Sequence, residues 1–79
     1  MSEKKVGTKK ITLSDGRVIE MRKPKVKDKR AVANIENEAD EEVALFANLT
    51  GLAEEEIDEL YLEDYSKLQE AYVGLAIGE

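Results

Sequence analysis

The stretch FANLTGLAEEEIDELYLEDYSKL, Phe46 to Leu68, decides how this chain of 79 residues is built. It carries three structural signals in order. A helical apolar pattern closes at Gly51, a residue suited to the left-handed backbone of a helix end, with Leu52 placed to fold back toward Phe46 or Ala47. Glu54, Glu55 and Glu56 then open a second helix, because carboxylates in a first turn face the positive end of the helix dipole. A third amphipathic pattern begins at Leu62, with Glu63 and Asp64 in its own first turn. The stretch arranges helices, and nothing in it resembles catalytic machinery.

Upstream, Val32, Ile35, Ala39, Val43 and Phe46 follow the 3-4 spacing of a buried stripe, widened by Ala31, Leu45 and Leu49. That spacing predicts one long helix over 28–49, started by Asp28 as its N-cap. Downstream, a short helix is expected over 53–60 with Ile57 and Leu60 inward. A helix of medium length is expected over 62–76, with Tyr65, Leu68, Tyr72 and Leu75 as its stripe. The tail from Val73 to Gly78 is uncharged and mostly apolar.

Further upstream, KKITLSDGRVIEMR places a turn signal between two β-prone runs and predicts a hairpin over 9–22. The faces choose the loop. A two-residue Asp15-Gly16 loop would pair Ile11 with Glu20, an acid on the apolar side. A three-residue loop with Gly16 left-handed pairs Ile11 with Ile19 and Lys10 with Glu20. Ile11, Leu13, Ile19 and Met21 then share one face, which two isolated strands could not keep dry. Pro24 ends the second strand. The expected fold is therefore α+β: an N-terminal two-stranded hairpin packed on a bundle of three helices, long, short and medium. Residues 1–8 are expected to form a disordered lead-in, and 9–79 a single small domain.

Composition removes several function classes. Cysteine and histidine are both absent, which excludes disulfides, thiolate or imidazole metal sites, and serine-histidine triads. The charged N-terminus has no apolar core of a signal peptide, and no apolar run is long enough to span a bilayer. The net charge of −6 hides an asymmetry: residues 1–30 sum to +7 and residues 31–79 to −13. The basic half invites a nucleic-acid reading, but no aromatic residue lies among its lysines and arginines to stack a base. The pI of 4.7 is also low for such a module. Glu38, Asp40, Glu41 and Glu42 match no calcium-loop spacing, and Glu54 to Glu56 point in different directions around a helix. These acids read as solvated faces. No catalytic, cofactor or metal residue is expected.

The apolar tail is the positive signal, because a short chain should not leave Val73, Leu75 and Ile77 unburied without a partner or a surface of its own to cover them. With the third-helix stripe, the expected partner-binding residues are Tyr65, Leu68, Tyr72, Val73, Leu75 and Ile77.

ITLSDGRVIEMRKPKVKDKRAV (Ile11–Val32) followed by LFANLTGLAEEEIDELYLEDYSKLQEA (Leu45–Ala71) resembles the small tail assembly chaperones of Mu-like and related contractile-tailed phages and prophages. The landmarks are Asp15-Gly16, Pro24, Leu49-Thr50-Gly51, Glu55 to Leu60, and Leu62 to Tyr65 with Leu68. Ala53 and Tyr61 depart from the family's usual helix caps. The resemblance implies a non-catalytic protein of the host cytoplasm, absent from the finished virion. It implies binding and solubilising of the tape measure protein during tail assembly, with the tail tube protein as a further partner. Self-association through the tail is a further expectation. The alternatives are a regulatory or nucleic-acid-associated module using the basic head, or a structural virion protein.

Overall fold

A computed structural model of the chain describes residues 7–78. The lead-in expected over 1–8 lies outside the described residues except for Gly7 and Thr8, and Thr8 already belongs to the first strand. Strands β1 (Thr8–Thr12) and β2 (Val18–Arg22) form an antiparallel hairpin. Four helices follow: α1 (Val26–Ala31), α2 (Glu38–Thr50), α3 (Glu54–Asp58) and α4 (Leu62–Ala76).

The hairpin takes the register its faces require. Ile11 pairs with Ile19 and Lys10 with Glu20. The Leu13 N–H donates to Arg17 O at 2.8 Å and the Gly16 N–H to Leu13 O at 2.9 Å, which closes a three-residue loop. Gly16 sits at φ +93°, where a side chain would be strained. Ile11, Leu13, Ile19 and Met21 are all buried on the inner face.

The helices cover that face. The molecule is only 19 Å across its shortest dimension, the thickness of a sheet with one helical layer. Leu45, Phe46 and Leu49 of α2, Ile57 of α3, and Leu68, Ala71 and Leu75 of α4 join the four hairpin residues and Val32 in one core. Phe46 is at its centre, fully buried, with its ring 5.6 Å from those of both Tyr65 and Tyr72 and tilted by 48° to each. Such tilted contacts suit the ring quadrupoles.

Two expectations are corrected. The long helix over 28–49 is two helices, so the bundle has four helices instead of three. Val32 to Asn37 form a turn between them, with the N–H groups of Val32, Ala33 and Ile35 each reaching the carbonyl three residues back. Asn34 and Asn37 are poor helix formers, and Asn37 starts α2 as its N-cap, accepting from Asp40 N at 3.1 Å. Because the chain turns here, Ala31 and Ala39 are exposed and do not extend the buried stripe.

Asp28 is also not an N-cap. The cap of α1 is Lys25, and Asp28, one turn in, accepts the Lys25 N–H at 2.8 Å. Its two oxygens meanwhile take a forked pair of bonds from Arg22, at 2.8 and 2.9 Å. The carboxylate that was expected to begin a long helix instead fastens a short one to β2.

Helix ends elsewhere follow local chemistry. Gly51 ends α2 at φ +80° with its N–H on Ala47 O. At α3 the cap residue Ala53 has no side chain to offer, and Glu56 compensates by accepting the Ala53 N–H at 2.8 Å.

Candidate functional site

The expected partner-binding residues lie on α4, and the helix separates them. Leu68 and Leu75 are in the core, 0% and 2% exposed, where no partner reaches them while the fold is intact. Tyr65 and Tyr72 are half-buried against Phe46. Val73 and Ile77 remain in solvent at 56% and 66% exposure. The six residues therefore do not form one surface. Two are open, two sit at the margin, and two hold the chain together.

One exposed residue escaped the sequence reading. Leu62, at the start of α4, is 83% exposed, more than any other large apolar residue described. It lies outside the buried stripe and before the apolar tail, so neither pattern drew attention to it. Its signal is spacing: Leu62 and Val73 are eleven residues apart, three helical turns on one line.

The margins of α4 are built from specific polar contacts. The Tyr65 hydroxyl donates to Glu42 Oε1 at 2.6 Å, and Gln69 Nε2 donates to the same oxygen at 3.0 Å, so α4 is tied to α2. Burial raises the Tyr65 phenol above its usual range, and the Glu42 carboxylate raises it further by accepting the proton it would lose. On the other margin Lys67 reaches the hairpin, donating to Thr12 O at 3.0 Å. A shallow depression separates β1 from the end of α4, with Ile11, Ala71 and Gly74 in its lining, Lys9, Lys10 and Lys67 as its cations, and Val73 and Ile77 exposed beside them.

Asp64 is a second functional surprise, structural in kind. It is 3% exposed instead of solvated. Its Oδ1 accepts the Ser14 N–H at 2.9 Å and its Oδ2 the Ser14 hydroxyl at 2.8 Å, which holds the hairpin turn against the start of α4. Burial alone would raise its pKa. The two Ser14 bonds and the nearby Lys67 charge outweigh that and hold it below the usual carboxylate value.

Among the described residues no cluster of three or more acidic, cysteine or histidine side chains is arranged to hold a metal ion. No helix described is long and apolar enough to cross a membrane.

The family model for phage tail assembly chaperone proteins, E, or 41 or 14, matches residues 4–77, nearly the whole length of 79 residues. The chain belongs to the phage tail assembly chaperone family. No curated protein and no solved structure matches it. For a tail assembly chaperone the relevant chemistry is protein recognition. Among the exposed residues of α4 in this chaperone, Leu62 and Val73 are large apolar side chains, and Ile77 follows just past its end.

Proposed function

We propose that this chaperone binds the tape measure protein and keeps it soluble while the tail tube assembles around it, acting without catalysis. The observation that carries the proposal is the family match over residues 4–77 together with the exposed apolar residues Leu62 and Val73 of α4 and Ile77 just past its end. Single exposed apolar residues are ordinary on any protein. Two on the solvent side of one helix and a third at its end, in a chain with 38% charged residues, are better explained by an intermittent partner.

A tape measure protein must span the tail, and a long chain with an apolar face aggregates before its tube surrounds it. A small acidic chaperone covers that face reversibly, and its net charge of −6 keeps the complex soluble. This role belongs to the cytoplasm of the bacterial host, with the chaperone released before the virion is complete and the tail tube protein as the partner that displaces it. Residues 9–79 act as one unit in it.

The test is co-expression with the tape measure protein encoded in the same tail gene cluster. The expected result is that the soluble fraction of the tape measure protein rises and that the chaperone co-purifies with it. Insoluble tape measure protein in the presence of an excess of folded chaperone rejects the proposal. Recovery of the chaperone in purified particles instead identifies a virion component.

A further inference from the structure

The solvent face of α4 carries a seam. Leu62, Ser66, Gln69, Val73 and Ala76 follow one another at intervals of four, three, four and three residues, the alternation by which one helix presents knobs and holes to another. All five are exposed, and none is charged. The core residues Leu68, Ala71 and Leu75 occupy the opposite side of the same helix. A depression lined by Ser66, Gln69, Glu70 and Val73 lies midway along the seam, where a facing side chain would enter.

The borders of the seam carry one sign of charge. Glu63 and Glu70 run along one side, about two turns apart and both exposed. On the other side Glu42 of α2 lies against the seam, held there by Tyr65 and Gln69. Two cations stand nearby and both are engaged elsewhere: Lys67 is turned toward β1, with its ammonium on Thr12 O and 3.6 Å from Asp64, and Lys29, beside Glu42, lies 4.0 Å from Glu41.

We propose that this seam is the docking site of an amphipathic helix whose apolar stripe is bordered by lysine or arginine. The spacing selects a helix as occupant, because an extended strand repeats every two residues and would place alternate side chains off the seam. The borders select its charge. A second copy of this chain, laid along the seam, brings carboxylate against carboxylate, which is repulsive. A basic-bordered helix meets acids on both sides. Ser66, a small residue at the centre, permits close approach, and its hydroxyl sets the register by hydrogen bonding. The proposal rests on the chaperone reading above for its natural partner, and it deepens that reading by naming the surface and the chemistry of the segment held.

Two probes separate the proposal from the function beneath it. The first is a pair of synthetic peptides of about three heptads with the same leucine-isoleucine stripe, one bordered by lysine and one by glutamate. The full chaperone is expected to bind the lysine-bordered peptide at least about tenfold more tightly, with the preference shrinking in high salt. Leu62→Asp with Val73→Asp is expected to weaken that binding about tenfold or more, while Val18→Asp, on the outer face of the hairpin, leaves it unchanged. Glu63→Lys with Glu70→Lys is expected to shift the preference toward the glutamate-bordered peptide. Circular dichroism confirms that each variant is folded.

The second probe is the tape measure protein in the co-expression assay, with the same variants. Capture lost in the Leu62→Asp, Val73→Asp chaperone supports the proposal. Capture retained in that variant overturns the seam and leaves the chaperone function standing. Binding of the lysine-bordered peptide by a chaperone that never captures the tape measure protein supports the seam and overturns the assigned partner. Equal binding of both peptides overturns the proposal, as does a dimer of the free chaperone that the Leu62→Asp, Val73→Asp pair dissolves.

Discussion

The two ends of the hairpin are each fastened by a buried aspartate, and they are fastened differently. At the open end, Asp28 of α1 grips Arg22 of β2 through two charge-assisted bonds and takes the Lys25 N–H as a third. At the turn end, Asp64 of α4 takes the hydroxyl and the N–H of Ser14, both uncharged donors, with the Lys67 ammonium farther off at 3.6 Å. The first tie joins residues six apart and organises a helix of six residues that could not persist alone. The second joins residues fifty apart and decides where the longest helix meets the sheet. A charged partner supplies strength where the local structure is weakest. Serine donors and a more distant, half-exposed lysine suffice where α4 is already held by Leu68, Ala71 and Leu75.

The contrast can be broken most directly at its charged end. Asp28→Asn leaves the half-exposed Arg22 guanidinium without its counter-ion and is expected to lower stability by about 2 kcal/mol in urea denaturation. High salt should reproduce part of that loss in the native chain, since 42% of the Arg22 side chain faces solvent. Asp64→Asn is expected to lower the melting temperature less than Asp28→Asn, because the amide oxygen still accepts one Ser14 bond and the amide nitrogen can donate to its hydroxyl. It should also respond less to salt. A larger loss from Asp64→Asn would reverse the ranking of the two ties.

Acid tests both together. The Arg22 bonds, followed by the Lys25 N–H, lower the Asp28 pKa from 3.8 to about 2. The folded chain therefore holds this proton more weakly than the unfolded chain does. The stability contributed by the tie is complete above 3.8 and is lost as the pH falls from 3.8 to about 2. Asp64 is shifted in the same direction, so its loss falls on the acid side too. Thermal melts across that range should show a steep decline in the native chain and a shallower one in Asp28→Asn.

The smallest effects probe the margins. Asn37→Ala removes the N-cap at the break between α1 and α2 and is expected to cost about 1 kcal/mol. If it cost nothing, the break would be held by Asp28 and the core instead of by its own cap. Tyr65→Phe removes the bond to Glu42 and is expected to cost about 1 kcal/mol or less. In the native chain one tyrosine should titrate above the ordinary phenol value of 10, by ultraviolet absorbance. The sign is opposite to that of the aspartates. The folded state keeps the proton, so the tie is complete below pH 10 and weakens as pH rises further.

The residues that sequence reading placed well are those whose role is set within a few neighbours. Ile11 and Ile19 face each other because only one loop length keeps Glu20 off the apolar side, and Gly16 is the residue able to close that loop. Gly51 ends a helix for an equally local reason. The break before α2 was legible in principle from Asn37 and the acids after it. It was masked because the apolar spacing from Val32 to Phe46 continues across the turn as though the helix did.

The candidate site was less legible. The stripe Tyr65, Leu68, Tyr72 and Leu75 is the face of α4 that meets the core, so its spacing named the packing face and not a surface open to a partner. In sequence Leu68 and Leu75 lie together with Val73 and Ile77, and packing divides them into buried and exposed pairs.

By itself, then, the sequence determined the hairpin, its register, the stop at Gly51 and the acidic balance of the chain. These follow from side-chain chemistry acting over a few residues. Only the tertiary structure decided that Asp28 and Asp64 are ties and that Leu62 and Val73 are open while Leu68 is closed. Each of those depends on which distant element arrives to satisfy a carboxylate or cover an apolar face, and periodicity along one helix holds no record of its neighbours.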